Sequence, residues 1–261
     1  MSGRPRPAHT RRAELSQHFL LPAAAARLVQ ATSITPTDLV IEIGPGRGAL
    51  TRHLCKRAHH VVGIEIDTYL ARQLDNGNTA NLQVINADFL TCTLPDSDYI
   101  AIGNVPYARA SDMLRKLVDA ERAPRDIYVV LQREHAHRLC GLPYVRESLW
   151  SLRLKPRWHV EILDRLTRQE FSPPPAVESV FLHLGHRERS LIPACDLPLF
   201  QQLVSQTLEI NAPLAKALRQ HLSRSQIQRL AQDLRFDAAD QPNALMFEQW
   251  LGIFRFLRRG R

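Results

Sequence analysis

Leu39-Val-Ile-Glu-Ile43-Gly44-Pro-Gly46-Arg-Gly48 reads as a buried strand running into a glycine-rich turn. The near-continuous apolar run marks a strand covered on both faces, as in a parallel sheet. Glycines at 44, 46 and 48 permit a tight turn and let backbone N–H groups come close to a ligand. Alone, the loop fits a nicotinamide site, a methyl-donor site or a plain strand-to-helix turn. Its G-x-G-x-G spacing differs from the G-x-G-x-x-G of dinucleotide sites, which counts against a nicotinamide cofactor.

Working outward, similar runs at 61–66, 82–85, 99–102 and 127–131 predict further strands, and the stretches 50–58, 68–74 and 110–120 predict helices between them. Such alternation predicts an α/β fold. Runs near 159–163 and 179–184 predict antiparallel strands at the sheet edge. Beyond Leu184 the polar turn 185–190 opens a helical stretch. Helices are expected there at 199–210, 213–223, 225–234 and 244–257, with caps or turns at Ser225 and 240–243. The expected organisation is a basic arm over 1–13, an α/β domain over 14–186 and a smaller helical domain with a basic tail over 187–261.

At 261 residues, 44% hydrophobic and 23% charged, the chain can bury a core without disulfides or metals. The disordered, collagen-like and coiled-coil classes are excluded for its bulk. Lys and Arg number 34 against 26 Asp and Glu, a net charge of +8. Only Lys56, Lys116, Lys155 and Lys216 are lysines; the rest are arginines. Arginine's planar fork suits phosphate and stacks on bases, and a GC-rich genome would produce the same bias. Arg4, Arg6, Arg11 and Arg12 at one end and Arg255, Arg258, Arg259 and Arg261 at the other supply the whole excess, with no acid among them. Basic ends on a neutral body suit a polyanionic partner held in a salt-dependent way, or are solvated tails. Cys55, Cys92, Cys140 and Cys195 form no C-x-x-C pair, so neither a metal site nor a redox motif is expected. Scattered thiols suit a reducing cytoplasm. The N-terminal charge is followed by no apolar signal, and no run approaches the ~18 apolar residues of a membrane span. A cytoplasmic monomer is expected.

Two acids sharpen the reading of the loop. Glu65 closes the second strand, where a doubly wound sheet places the ribose of a bound nucleoside. Asp88, in Asn86-Ala-Asp88-Phe-Leu90, follows the third strand, where a carboxylate can accept from the exocyclic amine of an adenine. The fourth strand ends in Ile102-Gly-Asn104-Val-Pro-Tyr107. The amine of a purine is a poor nucleophile because its lone pair is delocalised. Hydrogen bonds to the Asn104 side-chain oxygen and a nearby carbonyl favour the transferable lone pair. Pro106 stiffens the loop, and Tyr107 offers a face on which a flipped-out base can stack.

With these residues in view the chain resembles the ribosomal RNA adenine N6-methyltransferases, which include the Erm macrolide-resistance enzymes and the small-subunit dimethyladenosine transferases of the KsgA type. The matching stretches are Ser16-Gln-His-Phe-Leu20, 42–50, Ile64-Glu-Ile-Asp67, 86–90, 103–107 and Phe171-Ser-Pro-Pro-Pro-Ala-Val-Glu-Ser-Val180, which run in the family's order over 14–184. The resemblance implies a seven-stranded Rossmann-like class I methyltransferase sheet, a small C-terminal helical domain and S-adenosylmethionine as donor. It implies that Gly44, Gly46 and Gly48 wrap the methionine part of the donor, Glu65 holds its ribose and Asp88 its adenine. Ile66 and Phe89 flank the adenine ring or are plain core. Gln17, His18 and Leu20 belong to an N-terminal motif that closes over the donor. Asn104 and Tyr107 match the target-adenine residues, and Phe171 is expected on the other face of the base or in loop packing. His18 departs from the asparagine usual in the family.

Val105, the ending Ala244-Leu-Met-Phe-Glu-Gln-Trp-Leu-Gly-Ile-Phe-Arg-Phe256 and the arginine-rich tail resemble the Erm branch. That resemblance implies methylation of an adenine in the peptidyl-transferase loop of 23S rRNA, and resistance to macrolides, lincosamides and streptogramin B. The alternatives are a 16S rRNA dimethyltransferase and a non-catalytic nucleic-acid-binding relative. RNA contacts are expected from Arg11, Arg12, Arg109, Arg133 and Arg138, with looped or single-stranded RNA as the target because a base must leave its stack.

Overall fold

The computed structural model describes residues 18–259. The arm over 1–13, with Arg11 and Arg12, and Gln17 lie outside them.

The first compact unit holds the described residues up to Ala136 together with Glu161–His186. Its centre is a seven-stranded sheet of order β4-β3-β2-β5-β6-β9-β7. The strands are β2 (Leu39–Ile43), β3 (His60–Glu65), β4 (Leu82–Asn86), β5 (Ile100–Asn104), β6 (Asp126–Gln132), β7 (Trp158–Leu166) and β9 (Ser179–His186). β2 to β6 pair in parallel, with Val40 opposite both Val61 and Ile100. β9 pairs antiparallel to β6, between it and β7. Strand order reverses between β2 and β5, and in such sheets the ligand crevice opens at that switch point, beyond the carboxyl ends of the strands. The core under the sheet is built from Leu28, Val40, Leu54, Val61, Ile100, Val130 and Phe181, all buried. These are the apolar runs of the sequence, and their burial is the main driving force for the sheet.

A two-stranded pair stands apart from the sheet. β1 (Phe19–Leu20) and β8 (Phe171–Ser172) run antiparallel, with Leu20 opposite Phe171. Two residues are too short a run to show periodicity.

Helices α1 (Pro22–Gln30), α3 (Thr68–Asp75) and α4 (Ala110–Val118) flank the strands, and Asp67 caps α3 by accepting from the amides of Tyr69 and Leu70. The helix expected over 50–58 shortens to the single turn α2 (Thr51–Leu54). Asn81 Nδ2 donates to the carbonyls of Cys55 and Ala58 at 2.9 and 3.2 Å, capping the backbone where the helix would have continued.

The second unit joins residues from Arg187 onward to His137–Val160, so the helical part is not a single run beginning at 187. Leu152, on α6 (Leu149–Leu154), sits in the same core as Phe200, Leu230 and Trp250. Between Trp250's helix and Arg187 lie α7 (Leu197–Glu209), α8 (Leu214–Ala217) and α9 (Arg224–Leu234); the last helix is α10 (Phe247–Arg259). The expected helix 213–223 breaks into α8 and a 3-10 turn at Leu218–Gln220. The cap of α9 is Ser223 rather than Ser225: its hydroxyl accepts from the Gln226 amide while Gln226 Oε1 accepts from the Ser223 amide. α10 starts three residues later than expected, because Pro242–Ala244 forms its own 3-10 turn. α5 (Arg133–Cys140) follows β6. No helix of the described residues is long and apolar enough to cross a membrane.

Candidate active site

The carboxyl ends of β2, β3 and β5, with the loop after β4 and the segment around β1, surround a cleft of about 250 Å³. Gly44, Gly46 and Gly48 form the turn after β2, all with positive φ (+66°, +58° and +74°). A Cβ at Gly46 would stand 2.9 Å from Phe19 Cε1, and one at Gly48 2.7 Å from Leu74 Cδ2. The Gly46 N–H donates to Glu65 Oε2 at 2.8 Å.

Glu65 is buried at the end of β3, and its other oxygen accepts from the Asp67 amide at 2.9 Å. Burial raises its pKa, and backbone donation from Asp67, Gly46 and Ile66 opposes the shift. Glu42, one pleat before the glycine turn, is also buried and lines the cleft. Its Oε2 has no hydrogen-bond partner, and burial, with the nearby charge of Glu65, pushes its pKa up to about 8. Sequence reading passed over Glu42, although a lone acid inside an apolar strand signals a costly buried charge.

Asp88 Oδ1 accepts from the Leu90 amide at 2.9 Å, and Oδ2 faces Arg109 Nη2 at 3.4 Å. Ile66 is half exposed on the cleft wall. Phe89 also lines the cleft, with little of its surface open to water. Lys116 Nζ lies 5.1 Å above the Phe89 ring and donates to the carbonyls of Phe89 and Cys92. Leu20 and Phe19 complete this side, the latter beneath the Arg47 guanidinium at 4.6 Å.

Asn104 ends β5. Its Nδ2 donates to the His18 carbonyl at 2.5 Å, which leaves Oδ1 as the acceptor. The Tyr107 hydroxyl is hydrogen-bonded to Ser179 Oγ at 2.6 Å, so the ring is anchored at its far end; burial raises its pKa. Ser179 was missed as a site residue, although it lies in the stretch 171–180 that the sequence singled out. The His18 ring stacks on Tyr107, centroids 6.0 Å apart and planes inclined by 24°. Its Nδ1 is 2.9 Å from the Pro173 carbonyl oxygen.

Phe171 takes the second of its two expected places, packing. Its register opposite Leu20 packs the ring into the core, 2% exposed, and it does not line the cleft. In this arrangement its ring packs in the core. Arg133 is ion-paired with Glu178 and Glu134, whereas Arg138 is exposed. Among the described residues, no group of three or more His, Cys, Asp and Glu is placed to hold a metal ion.

The sheet order, the cleft at its switch point and the acids closing β3 and following β4 define a methyltransferase of the Rossmann-like class I fold. The chain belongs to the ribosomal RNA adenine dimethylase family, whose pattern it matches over residues 8–259. It is 31% identical over 253 residues to the rRNA adenine N-6-methyltransferase of Streptomyces fradiae, covering 95% of this chain and 79% of that one. It is 30% identical to the ribosomal RNA small subunit methyltransferase A of a Synechococcus species, covering 93% and 91%. Its fold is similar to the crystal structure of the 23S rRNA methyltransferase ErmE, with a TM-score of 0.86, 27% identity and coverage of 92% and 99%.

Proposed function

We propose that the cleft binds S-adenosylmethionine and that the protein transfers its methyl group to N6 of an adenine in the peptidyl-transferase loop of 23S rRNA, giving resistance to macrolides, lincosamides and streptogramin B. Two features fit the donor: the turn at Gly46, where a Cβ would clash, and the unpartnered Glu42 Oε2 in the cleft wall. Bound there, S-adenosylmethionine supplies a methyl group activated by its sulfonium.

Gly44, Gly46 and Gly48 flank its methionine part. Glu65 has one backbone donor on each oxygen and a further lone pair on each for the ribose hydroxyls. Asp88 accepts from the adenine amine, with Ile66 and Phe89 against the ring, while Gln17, His18 and Leu20 cover the donor.

The Asn104 amide carries the reading of the chemistry. With Nδ2 committed to His18, Oδ1 is the atom that accepts from a target amine beside the Tyr107 ring. No side chain is needed as a strong base, because the surplus amine proton passes to water after transfer. Positioning and electrostatics supply the rate. Arg109, Arg138 and the basic ends with Arg11 and Arg12 hold phosphates; Arg133 does so only by giving up its acidic partners.

The likeness to ErmE over nearly all of that chain supports 23S over 16S RNA. The small-subunit relative keeps 16S methylation as the second reading. The test offers labelled S-adenosylmethionine with protein-free 23S rRNA and, separately, small-subunit particles, then maps the modified adenine by primer extension. Label in the 23S peptidyl-transferase loop is expected. Label in the 16S particle alone moves the protein to the small-subunit branch. Label in neither, with the donor bound, overturns the substrate and leaves the cofactor.

A further inference from the structure

The helical unit holds a cavity of its own, of about 210 Å³. One face of α7 brings Gln202, Leu203 and Gln206 to it, and one face of α10 brings Phe254 and Arg258. Gln220 and His221, at the end of the 3-10 turn, join the lining. We propose that this cavity receives one unpaired nucleobase of the RNA substrate, with Arg258 on the phosphate beside it. The base held here is not the one that is methylated. The proposal rests on the reading of the protein as an rRNA methyltransferase.

The lining has the two characters that a base requires. Leu203 and Phe254 are buried, and Phe200 stands edge-on to Phe254, centroids 5.4 Å apart and planes at 79°, so the apolar floor is fixed. Any base can lay its π face on such a floor. Above it are the amides of Gln202, Gln206 and Gln220 and the His221 imidazole. An amide carries donors and an acceptor, and a neutral imidazole carries one of each, which matches the mixed edges of an unpaired base. Burial lowers the pKa of His221, which keeps the ring neutral. Its Nε2 is buried and makes no hydrogen bond among the described residues. Buried polar atoms are ordinarily partnered, so this one points to a ligand that reaches the imidazole. A lone anion would leave the apolar floor unused, and an acyl chain would leave the amides unpaired. Arg258 Nη2 lies 3.0 Å from Asp196 Oδ1, and its side chain is 41% exposed. A guanidinium has five N–H donors, so one ion pair leaves others for a phosphate. Arg255 and Arg259, exposed on the same helix, add positive charge.

The experiment compares wild type with Gln220→Leu, His221→Phe and Arg258→Gln on protein-free 23S rRNA. Gln220 is exposed, so its variant keeps the fold even if His221→Phe does not, and thermal melting checks both. Filter binding over a salt series reads affinity and its salt slope. Gln220→Leu and His221→Phe are expected to weaken RNA binding by about 5- to 100-fold, the scale of one base contact, with the slope unchanged because no phosphate contact is lost. Arg258→Gln lowers both affinity and slope. In methyl transfer, KM for RNA rises in step while kcat at saturating RNA and donor affinity stay at the wild-type values. A calorimetric titration of donor-saturated protein with the four nucleoside monophosphates reads whether free nucleotides enter the same cavity.

Unchanged RNA affinity in both Gln220→Leu and His221→Phe would overturn the proposal. Monophosphates that bind wild type but not His221→Phe, with RNA affinity equal in the two, would assign the cavity to a free nucleotide instead. A flatter salt slope in Gln220→Leu and His221→Phe would overturn the base as the occupant, because the cavity would then hold a phosphate. A loss of affinity no larger than the loss of folded protein would make these residues structural. If wild type binds the donor but neither binds nor methylates RNA, the functional reading falls and this proposal with it.

Discussion

Asp88 and Arg109 join two loops whose strands, β4 and β5, lie three places apart in the sheet: Arg109 Nη2 is 3.4 Å from Asp88 Oδ2. Both side chains are partly exposed, at 45% and 30%, so the pair is worth less than about 1 kcal/mol. Its interest is competitive. The carboxylate proposed to take the donor's adenine amine is the one that holds an arginine proposed to take an RNA phosphate. Arg109→Ala is expected to tighten donor binding by up to about fivefold, the scale of one exposed pair, and to weaken RNA binding. Calorimetry on donor and RNA separately checks both; weaker donor binding would place Arg109 on the donor itself.

Glu65→Ala leaves the buried amides of Gly46 and Asp67 without their acceptor. It should cost about 2 kcal/mol of stability and at least about tenfold in donor affinity. Thermal melting and calorimetry read the two effects. Glu65→Gln keeps one acceptor oxygen and should melt between wild type and Ala. Undiminished donor affinity in Glu65→Ala would put the ribose elsewhere.

Asn104→Ala should keep the fold and donor binding while methyl transfer falls by at least about 100-fold, because the acceptor aligned with the target amine is gone. Single-turnover assays on protein-free 23S rRNA separate this step from binding. An active Asn104→Ala protein would end the assignment.

Glu42 gives a pH dependence with a definite sign. Its folded pKa of about 8 lies above the ordinary carboxylate value, so the folded chain holds a proton that the unfolded chain releases. Stability from this group is present at acidic pH and is lost as pH rises through about 8. Glu42→Gln removes the loss. The variant should melt several degrees above wild type at pH 8 and close to it at pH 5. Equal melting differences at the two pH values would show that Glu42 is ionised in the fold.

Deleting residues 1–12 removes Arg4, Arg6, Arg11 and Arg12. RNA affinity should fall and its dependence on salt flatten, since each phosphate contact contributes to the slope. An unchanged slope would make the arm a solvated tail.

The sequence by itself determined the α/β alternation, the glycine turn, and the placing of Glu65, Asp88, Asn104 and Tyr107 at or just beyond strand ends. Apolar runs, turn glycines and strand-end polar residues are local signals, readable within a few residues of chain. Only the tertiary structure decided that β9 lies between β6 and β7 and that His137–Val160 joins the helical unit. It also decided that Asn81 stops α2, Ser179 anchors Tyr107, and Arg109 meets Asp88. Phe171 shows the reason most plainly. Its surroundings read as a binding loop, yet a two-residue pairing with Phe19–Leu20, some 150 residues earlier in the chain, sets its register and buries the ring. The ring that stacks on Tyr107 is His18. Which of two aromatic rings is buried and which is presented depends on the register of long-range strand pairing, and a one-residue shift would exchange the faces.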